Sequence, residues 1–316
     1  MRLVTFTQLG ETRLGALLGE HVVDLNRAYG ALLRDRSAVR PEALAEAVLP
    51  ADMRGLLDGE EKGMSAAHAA LEFVTQRLTA QGSARELRRT GIIRDLKDVA
   101  LRAPILNPRK LILLGLNYRD HAEEAKMKLP EVPILFNKYN NAIIGPGEPI
   151  VIPRATSRVD YEAELAFVIG RRGKEVPREQ AYEYVAGYMC LNDVSGRDYQ
   201  MATTQWMVGK TFDTFCPMGP HLVTRDEVPD PHVLDIKCVV NGEVMQHSNT
   251  KYLIFGVPEI IEYISTVFTI EPGDVVATGT PGGVGFVRKP PRWLKPGEQV
   301  RVEVEGVGIL ENPVAA

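Results

Sequence analysis

The sequence predicts an α+β protein that is mostly β, with a small N-terminal domain over residues 1–100 and a larger domain over residues 101–316. Three observations support this prediction. Strand-like segments separated by turns open the chain and recur throughout its second part. A helical pattern is concentrated between about residues 37 and 90. Beyond residue 100, helices do not alternate regularly with strands, which favours a mixed or mostly antiparallel sheet packing over a doubly wound parallel sheet.

The N-terminal domain begins with strands and continues with helices. The predicted strands are Leu3–Thr7, Arg13–Leu18 and His21–Leu25. Ser65–Val74 is rich in strong helix formers and has apolar residues at helical spacing, so it predicts a helix. Asp95–Arg109 carries prolines at 104 and 108 and indicates a connector, which places the domain boundary near residue 100.

The C-terminal domain carries the remaining predicted strands, which are Lys110–Gly115, Ile134–Phe136, Glu162–Ile169, Leu234–Val240, Asp274–Thr278 and Val300–Val304. Helices are predicted over Arg178–Met189 and over Val257–Phe268, where Pro258 suits a first turn. The glycine-rich segment Gly279–Gly285 lacks the lysine of a phosphate-binding loop, so a nucleotide cradle is not expected.

Composition excludes several classes of protein. The 316 residues are 45% hydrophobic and carry a net charge of −4, and no basic stripe is present, so we expect no nucleic-acid partner. No apolar run approaches the roughly 20 residues that span a bilayer, and the N-terminus lacks the apolar core of a signal peptide, so we expect a cytoplasmic protein without a membrane partner. Cys190, Cys216 and Cys238 are widely spaced, which predicts small core residues in a reducing compartment.

The most informative segment holds three alternating carboxylates, Asp160, Glu162 and Glu164. The residues between them are apolar, so a strand would project all three from one face, with neighbours only ~7 Å apart. Carboxylates this close repel each other unless they are solvated, protonated or bridged by a cation. The pattern therefore suits either a divalent metal site with oxygen ligands or a solvated strand face.

A second candidate is the pair His121 and Glu124, which follows Asn117 and Tyr118. On a helix these two side chains are at i and i+3 and can touch. A carboxylate on one ring nitrogen raises the basicity of the other, which makes a general base. An exposed helix with incidental charges fits the same residues.

Three further candidates lie downstream. Asp193 follows an apolar run, where a buried charge needs a partner, and Arg197 one turn later could bind a substrate carboxylate or form an ion pair with Asp193 or Asp198. Lys210 is either a surface lysine or a cation for an enolate or carboxylate. Thr280 lies in the glycine-rich turn, which suits an anion contact or an ordinary surface turn.

Together these motifs resemble the fumarylacetoacetate hydrolase family from about Lys110 to the C-terminus. The matching stretches are Gly-Leu-Asn-Tyr-Arg-Asp-His at 115–121, Asp-Tyr-Glu-Ala-Glu-Leu at 160–165, Asn-Asp-Val-Ser-Gly-Arg-Asp at 192–198, Gly-Lys-Thr-Phe-Asp-Thr-Phe at 209–215 and Glu-Pro-Gly-Asp-Val-Val-Ala-Thr-Gly-Thr-Pro-Gly-Gly-Val-Gly at 271–285. The resemblance implies a mixed β-sandwich roll preceded by a small, variable α+β domain, and a homodimer built through the C-terminal domain.

The resemblance also implies roles for the candidate residues. The metal ligands would be Glu162, Glu164 and Asp193, with Mg²⁺ or Mn²⁺ the usual ion and Ca²⁺ a further option, and Asp160 would not bind the ion. His121 with Glu124 would activate water, and Lys210 would stabilise an enolate. The residues that bind the substrate would be Arg197, Gln200, Thr280, Asn117 and Tyr118, and Lys210 would also line the pocket. The animal enzymes have an additional acidic ligand that Gly115–Asn117 does not supply, which fits the smaller bacterial-type members.

The implied function is metal-dependent hydrolysis of a C–C bond in a 2,4-dioxo acid such as an acylpyruvate, through a pyruvate enolate. The same enolate chemistry supports an oxaloacetate-type decarboxylase or an isomerase of 2-hydroxymuconate-like acids. A non-catalytic metabolite-binding protein is an alternative of a different class. The substrate's variable group is expected to meet the stretch Ala125–Pro130 and the N-terminal domain.

Overall fold

The computed structural model describes residues 1–79, 83–124 and 126–316, so Ala125 lies outside the described residues. Its strands are β1 Arg2–Gln8, β2 Glu11–Leu18, β3 His21–Asp24, β4 Ile93–Asp95, β5 Ala100–Arg102, β6 Leu111–Gly115, β7 Ile134–Asn137, β8 Ile143–Ile144, β9 Ile150–Val151, β10 Val159–Asp160, β11 Ala163–Ile169, β12 Val185–Asn192, β13 Ser195–Gly196, β14 Cys216–Thr224, β15 Asp235–Val240, β16 Glu243–Asn249, β17 Val275–Ala277, β18 Gln299–Val304 and β19 Gly308–Ala315. Its α-helices are α1 Leu25–Asp35, α2 Pro41–Val48, α3 Met53–Asp58, α4 Glu60–Leu78, α5 Ser83–Arg89, α6 Arg119–Glu124, α7 Arg197–Gln200, α8 Met207–Lys210 and α9 Val257–Val267. Within these residues no helix has both the length and the apolar character needed to cross a membrane.

A large mixed sheet runs through the molecule. Its main path follows the order β4-β3-β2-β1-β14-β12-β11-β17-β6-β7, with β5 beside β1 and β8 beside β14. Strands β6 and β17 are parallel, whereas β11 pairs antiparallel with both β12 and β17. The sheet is therefore mixed and mostly antiparallel, as the sequence predicts.

The N-terminal and C-terminal parts of the chain share this sheet. Arg2 and Leu3 of β1 pair antiparallel with Val223 and Leu222 of β14. The chain then returns through β5, which pairs with Thr5–Thr7 of β1 on the side opposite β2. The boundary predicted near residue 100 thus separates two regions that are hydrogen-bonded to each other along one sheet.

Both faces of the large sheet are covered. Leu165 and Phe167 of β11 pack into a core with Ile236 of a five-stranded sheet, whose order is β16-β15-β18-β19-β9. Because side chains alternate along a strand, Ala166 and Val168 point to the opposite face, where they join the core formed with the N-terminal helices. The result is a β-sandwich with a helical layer on one side.

One predicted helix is wrong in its second half. Arg178–Tyr184 forms a short 3₁₀ segment, and the chain then enters strand β12 at Val185. Gly187 shows why a strand is favoured here, because a Cβ at this position would lie 2.1 Å from the carbonyl oxygen of Val223 on the neighbouring strand. Pairing with two neighbours overrides the local helical preference of this segment.

Candidate metal centre and active site

The sequence motifs meet at one edge of the large sheet. Strand β11 begins where its antiparallel partner β12 ends, because Ala163 pairs with Asn192. Strands β17 and β6 are parallel to each other, and Ala277 near the end of β17 pairs with Ala166 near the start of β11. The loops after β12, β17 and β6 therefore converge on the start of β11, although they are far apart in the sequence.

Three buried carboxylates converge at this edge. Glu162, Glu164 and Asp193 each offer an oxygen, and these oxygens all lie within 4.8 Å of one another. The backbone fixes their arrangement, because the Asp193 N–H donates to the carbonyl of Glu162 at 2.9 Å. The Glu162 N–H in turn donates to the side chain of Asn192 at 3.0 Å. The solvated strand face considered for Glu162 and Glu164 is thus not what the structure shows.

Three buried cations surround two of these carboxylates. Lys210 Nζ bridges Glu162 at 2.8 Å and Asp193 at 2.6 Å. Lys138 Nζ lies 2.8 Å from the other oxygen of Asp193, and Arg197 lies 2.7 Å from the other oxygen of Glu162. Lys210 is therefore not the surface lysine that its sequence context also allowed.

These cations set the charge states of the site. Burial opposes ionisation of Glu162, but Lys210 and Arg197 outweigh it and lower the pKa of the carboxyl to about 2. Against the opposing effect of burial, Asp193 and Glu162 raise the pKa of the Lys210 ammonium above its ordinary value. Glu162 and Lys210 are therefore both charged at neutral pH.

Glu164 is the carboxylate without a cation. Its Oε2 accepts the Gly279 N–H at 2.9 Å, while its buried Oε1 has no hydrogen-bond partner among the described residues. Burial, together with Asp193 and Glu162, raises the pKa of Glu164 well above its ordinary value. A cluster of three buried oxygen donors with one unsatisfied oxygen fits a hard divalent cation such as Mg²⁺, Mn²⁺ or Ca²⁺.

Asp160 faces a different set of partners. Its carboxylate accepts hydrogen bonds from Arg197 Nε at 2.8 Å, from the Gly285 N–H at 2.7 Å and from the Phe286 N–H at 3.0 Å. A Cβ at Gly285 would lie 2.6 Å from Asp160, so glycine is needed for this approach. Asp160 thus ties the glycine-rich segment to Arg197, and it is not part of the cluster formed by Glu162, Glu164 and Asp193.

His121 and Glu124 lie on the short helix α6 that follows β6. His121 Nδ1 is 4.0 Å from Glu124 Oε2, which is longer than a hydrogen bond. The His121 ring and, against the effect of burial, the Gly283 N–H lower the pKa of Glu124. The helix is also held by Asp120, whose carboxylate accepts the hydroxyl of Ser248 at 2.5 Å. The two side chains are neighbours without a hydrogen bond between them, so the dyad stays a prediction.

A cavity of about 60 Å³ opens beside the carboxylates. Its polar wall consists of His121, Glu162, Arg197, Gln200, Lys210 and Thr280, so the structure brings the predicted catalytic histidine, one ligand and four predicted pocket residues together. Gln200 Oε1 accepts a 2.7 Å hydrogen bond from Arg197. Thr280 donates to the carbonyl of Ala163 at 3.0 Å, which anchors the glycine-rich segment to β11.

Asn117 and Tyr118 lie outside this cavity wall. The Asn117 amide donates to the carbonyls of Phe255 and Thr278 and accepts the Phe255 N–H, so backbone groups use its hydrogen-bonding capacity. Tyr118 is fully buried, and its hydroxyl has no hydrogen-bond partner among the described residues. Both residues brace the segment between β6 and α6 in this structure and do not border the cavity.

Comparison with known protein families shows to which family the chain belongs. A family model described as fumarylacetoacetate (FAA) hydrolase C-terminal matches residues 110–315. The chain belongs to the fumarylacetoacetate hydrolase family. The resemblance derived from the sequence motifs is therefore confirmed, and the protein is a member of an enzyme family.

Individual relatives of this fumarylacetoacetate hydrolase family member cover almost the whole chain. A mitochondrial oxaloacetate tautomerase of Xenopus laevis is 43% identical over 99% of this chain and 90% of its own length. A fumarylacetoacetate hydrolase structure from Exiguobacterium antarcticum shares 32% identity, covers 100% of this chain and 99% of its own, and has a TM-score of 0.77. A Sphingobium maleylpyruvate hydrolase structure with manganese(II) and pyruvate shares 31% identity at the same coverage, with a TM-score of 0.73. These structures confirm the predicted family fold.

The sequence analysis did not identify two polar residues of the site in this family member, Lys138 and Gln246. Lys138 is buried and donates to the carbonyls of Val194 and Phe215 at 2.9 and 2.7 Å, in addition to its ion pair with Asp193. Gln246 accepts the Ala163 N–H at 2.9 Å and donates to Thr280 Oγ1 at 2.8 Å. Neither residue lies in a motif, and a single polar residue, whether after a strand like Lys138 or within one like Gln246, carries no periodic signal.

The cysteines of this family member are placed as predicted. Cys190, Cys216 and Cys238 are all buried and free. Burial raises the pKa of the Cys190 and Cys216 thiols to about 12, so neither is a thiolate at neutral pH.

Proposed function

We propose that this protein is a divalent-metal-dependent enzyme that interconverts the keto and enol forms of oxaloacetate. The observation that carries this proposal is the 43% identity to an oxaloacetate tautomerase over 99% of the chain. This supports the isomerase-type alternative of the sequence analysis better than its main prediction, hydrolysis of a 2,4-dioxo acid. The polar wall of the cavity also suits a small dianion, because Arg197 and Lys210 both border it.

The chemistry requires a proton to leave C3 of oxaloacetate and another to reach the oxygen on C2. A divalent cation held by Glu162, Glu164 and Asp193 would supply Lewis-acid charge beside the cavity. His121 borders the cavity and is the residue proposed to accept the C3 proton and return it to the enolate oxygen. Glu124 lies on the Nδ1 side of the ring, which leaves Nε2 for the substrate.

The remaining cavity residues would orient the substrate. The Arg197 guanidinium is held by Asp160, Glu162 and Gln200, so its position is fixed before a ligand arrives. Such preorganised charge stabilises a developing enolate without a reorganisation cost. Lys210 supplies a second positive charge from the opposite side of Glu162.

The test measures three reactions in parallel with Mg²⁺, Mn²⁺ or Ca²⁺. Decay of the enol's ultraviolet absorbance in weak buffer reports tautomerisation, pyruvate with CO₂ reports decarboxylation, and pyruvate with acetate from acetylpyruvate reports hydrolysis. We expect metal-dependent tautomerisation, and we expect His121→Asn to slow it by about 10²-fold or more while Mn²⁺ binding is retained. His247→Asn is the matched control, because this histidine is exposed on β16.

Hydrolysis of an acylpyruvate is the second candidate function. The structural similarity to the maleylpyruvate hydrolase and the His121–Glu124 pair favour it, because attack by water needs a general base. Cleavage of acetylpyruvate without acceleration of oxaloacetate tautomerisation would overturn the main proposal in its favour.

The finer properties of the assembly are also proposals. We propose Mg²⁺ or Mn²⁺ as the resident ion, supported by the manganese in the similar maleylpyruvate hydrolase. A homodimer remains the expected assembly, to be checked by light scattering. The cytoplasmic location remains a prediction, and the similar Xenopus laevis tautomerase is described as mitochondrial.

A further inference from the structure

The cavity has apolar as well as charged lining residues, and the apolar part is called its apolar end. Phe136, Trp206 and Phe286 border it there, together with Met127, which is the described residue of the segment 125–130 that reaches the cavity. No residue that lines the cavity comes from the first hundred residues. The role of the N-terminal domain in shaping the pocket thus stays a prediction, and the residues that can set a size limit in this cavity come from the C-terminal part.

Trp206 is the largest side chain of this apolar end, and its position depends on a glycine. A Cβ at Gly115, the last residue of β6, would lie 2.1 Å from the Trp206 ring. The indole thus covers the end of β6 at van der Waals distance. Its ring packs edge-on against Phe136, with centroids 5.9 Å apart and an interplanar angle of 69°. These two contacts fix the indole as a wall.

The same wall is connected to the charged end. Lys210 Nζ lies 5.1 Å from the centroid of the Phe136 ring, so the aromatic pair backs the ammonium that bridges Glu162 and Asp193. Trp206 also directly precedes helix α8, which ends at Lys210. An outward shift of the indole to admit a larger ligand would therefore disturb Phe136 and Lys210 together.

Other apolar residues at this end can yield more easily. Met127 and Met201 are 51% and 59% exposed, and methionine is flexible, so both can move aside. Phe286 is held under Arg197, whose guanidinium lies 4.5 Å from the centroid of the Phe286 ring. Phe286 therefore lies beside the cation that is proposed to bind the substrate carboxylate. Trp206, held between Gly115 and Phe136, is thus the bulky apolar residue at this end that can move aside least easily.

We infer that Trp206 sets the upper size limit of the substrate and restricts the enzyme to compact 2-oxo diacids. This inference deepens the proposed function and rests on it for the identity of the preferred substrate. The cavity of about 60 Å³ is consistent with it, since sites for larger ligands commonly enclose roughly 300–1,000 Å³. A 2,4-dioxo acid with a bulky group at C4 would collide with the indole.

The test compares the binding of two probes by calorimetry in the presence of Mg²⁺. Oxalate probes the charged end alone, and benzoylpyruvate adds a phenyl group at the far end. We expect Trp206→Ala to tighten benzoylpyruvate binding by at least about tenfold and to change oxalate binding by less than about threefold. Trp206→Phe keeps an aromatic contact with Phe136 and is expected to give a smaller gain in the same direction.

The matched control is Val208→Ala, which alters the same helix at a residue that is 46% exposed and lies outside the cavity wall. It should leave the binding of both probes unchanged. Equal affinities of the parent protein for the two probes, or a Trp206→Phe variant that folds and discriminates as the parent does, would overturn the inference. Because binding is measured without turnover, failure of the proposed tautomerase activity would show separately in the enol assay.

Discussion

Replacing Asp160 with asparagine tests whether this carboxylate is structural or part of the metal centre. The parent side chain is fully buried and accepts hydrogen bonds from Arg197 Nε, the Gly285 N–H and the Phe286 N–H. An amide of the same shape removes the negative charge and turns an NH₂ group toward at least one of these donors. The variant therefore leaves a buried guanidinium with only part of its compensation.

The expected magnitude follows from these contacts. Breaking a buried ion pair by removing one partner costs roughly 3–5 kcal/mol. The three backbone hydrogen bonds to the carboxylate, from Tyr161, Gly285 and Phe286, would add to this cost, but Glu162 still lies 2.7 Å from Arg197 and offsets part of it. We therefore expect Asp160→Asn to lower the free energy of unfolding by about 3–5 kcal/mol.

Urea denaturation at neutral pH measures this loss, and calorimetry with Mn²⁺ measures ion binding by the folded variant. Asp35→Asn is the matched control, because Asp35 also pairs with an arginine, Arg77, but is exposed, so the loss should be about 0–1 kcal/mol. A loss below about 1 kcal/mol for Asp160→Asn would refute the structural argument. A folded variant without Mn²⁺ binding would instead show that Asp160 belongs to the centre.

Three further predictions follow from buried polar groups. Lys138→Met should lower the free energy of unfolding by roughly 3–5 kcal/mol, measured in urea, because Asp193 and the carbonyls of Val194, Lys210 and Phe215 lose their donor. The pKa of Glu162 is depressed to about 2, so its contribution to stability is present above its ordinary pKa and is lost as the pH falls toward 2. Unfolding free energies measured from pH 6 to pH 3 should show this loss. Glu162→Gln should make the unfolding free energy depend less steeply on pH over this range. Asn117→Ala should destabilise the fold by roughly 1–3 kcal/mol, measured by thermal unfolding, since buried backbone groups of Phe255 lose their partner.

The site was predictable where chemistry-bearing residues form a local pattern. The alternation of Asp160, Glu162 and Glu164 with apolar residues suited either a metal site or a solvated strand face, and the structure brings Glu162 and Glu164 together with Asp193 in a buried cluster. Their common position could not be derived from the local pattern alone. It depends on β11 and β12 pairing in register, which is a long-range property that the motif resemblance supplied instead.

The misassigned strand β12 and the unrecognised Lys138 show the opposite limit. The sequence around Val185 has local helical preference, but the strand is buried between two neighbours, and packing decides its conformation. Lys138 is a single residue after a short strand, and only the folded chain shows that its ammonium is 0% exposed beside Asp193. A buried lysine is rare, and nothing local in the sequence distinguishes it from a surface lysine.

The pairing of β1 with β14 has a consequence for the chain as a whole. Strand β1 covers part of one edge of β14, where Arg2 and Leu3 pair with Val223 and Leu222. Cutting the chain near residue 100 would leave this part of β14 without its partner strand and would expose the apolar face that the N-terminal helices cover. The C-terminal part on its own would then be prone to aggregate through this edge and face. Residues 1–100 therefore protect from aggregation the sheet that holds the candidate active site.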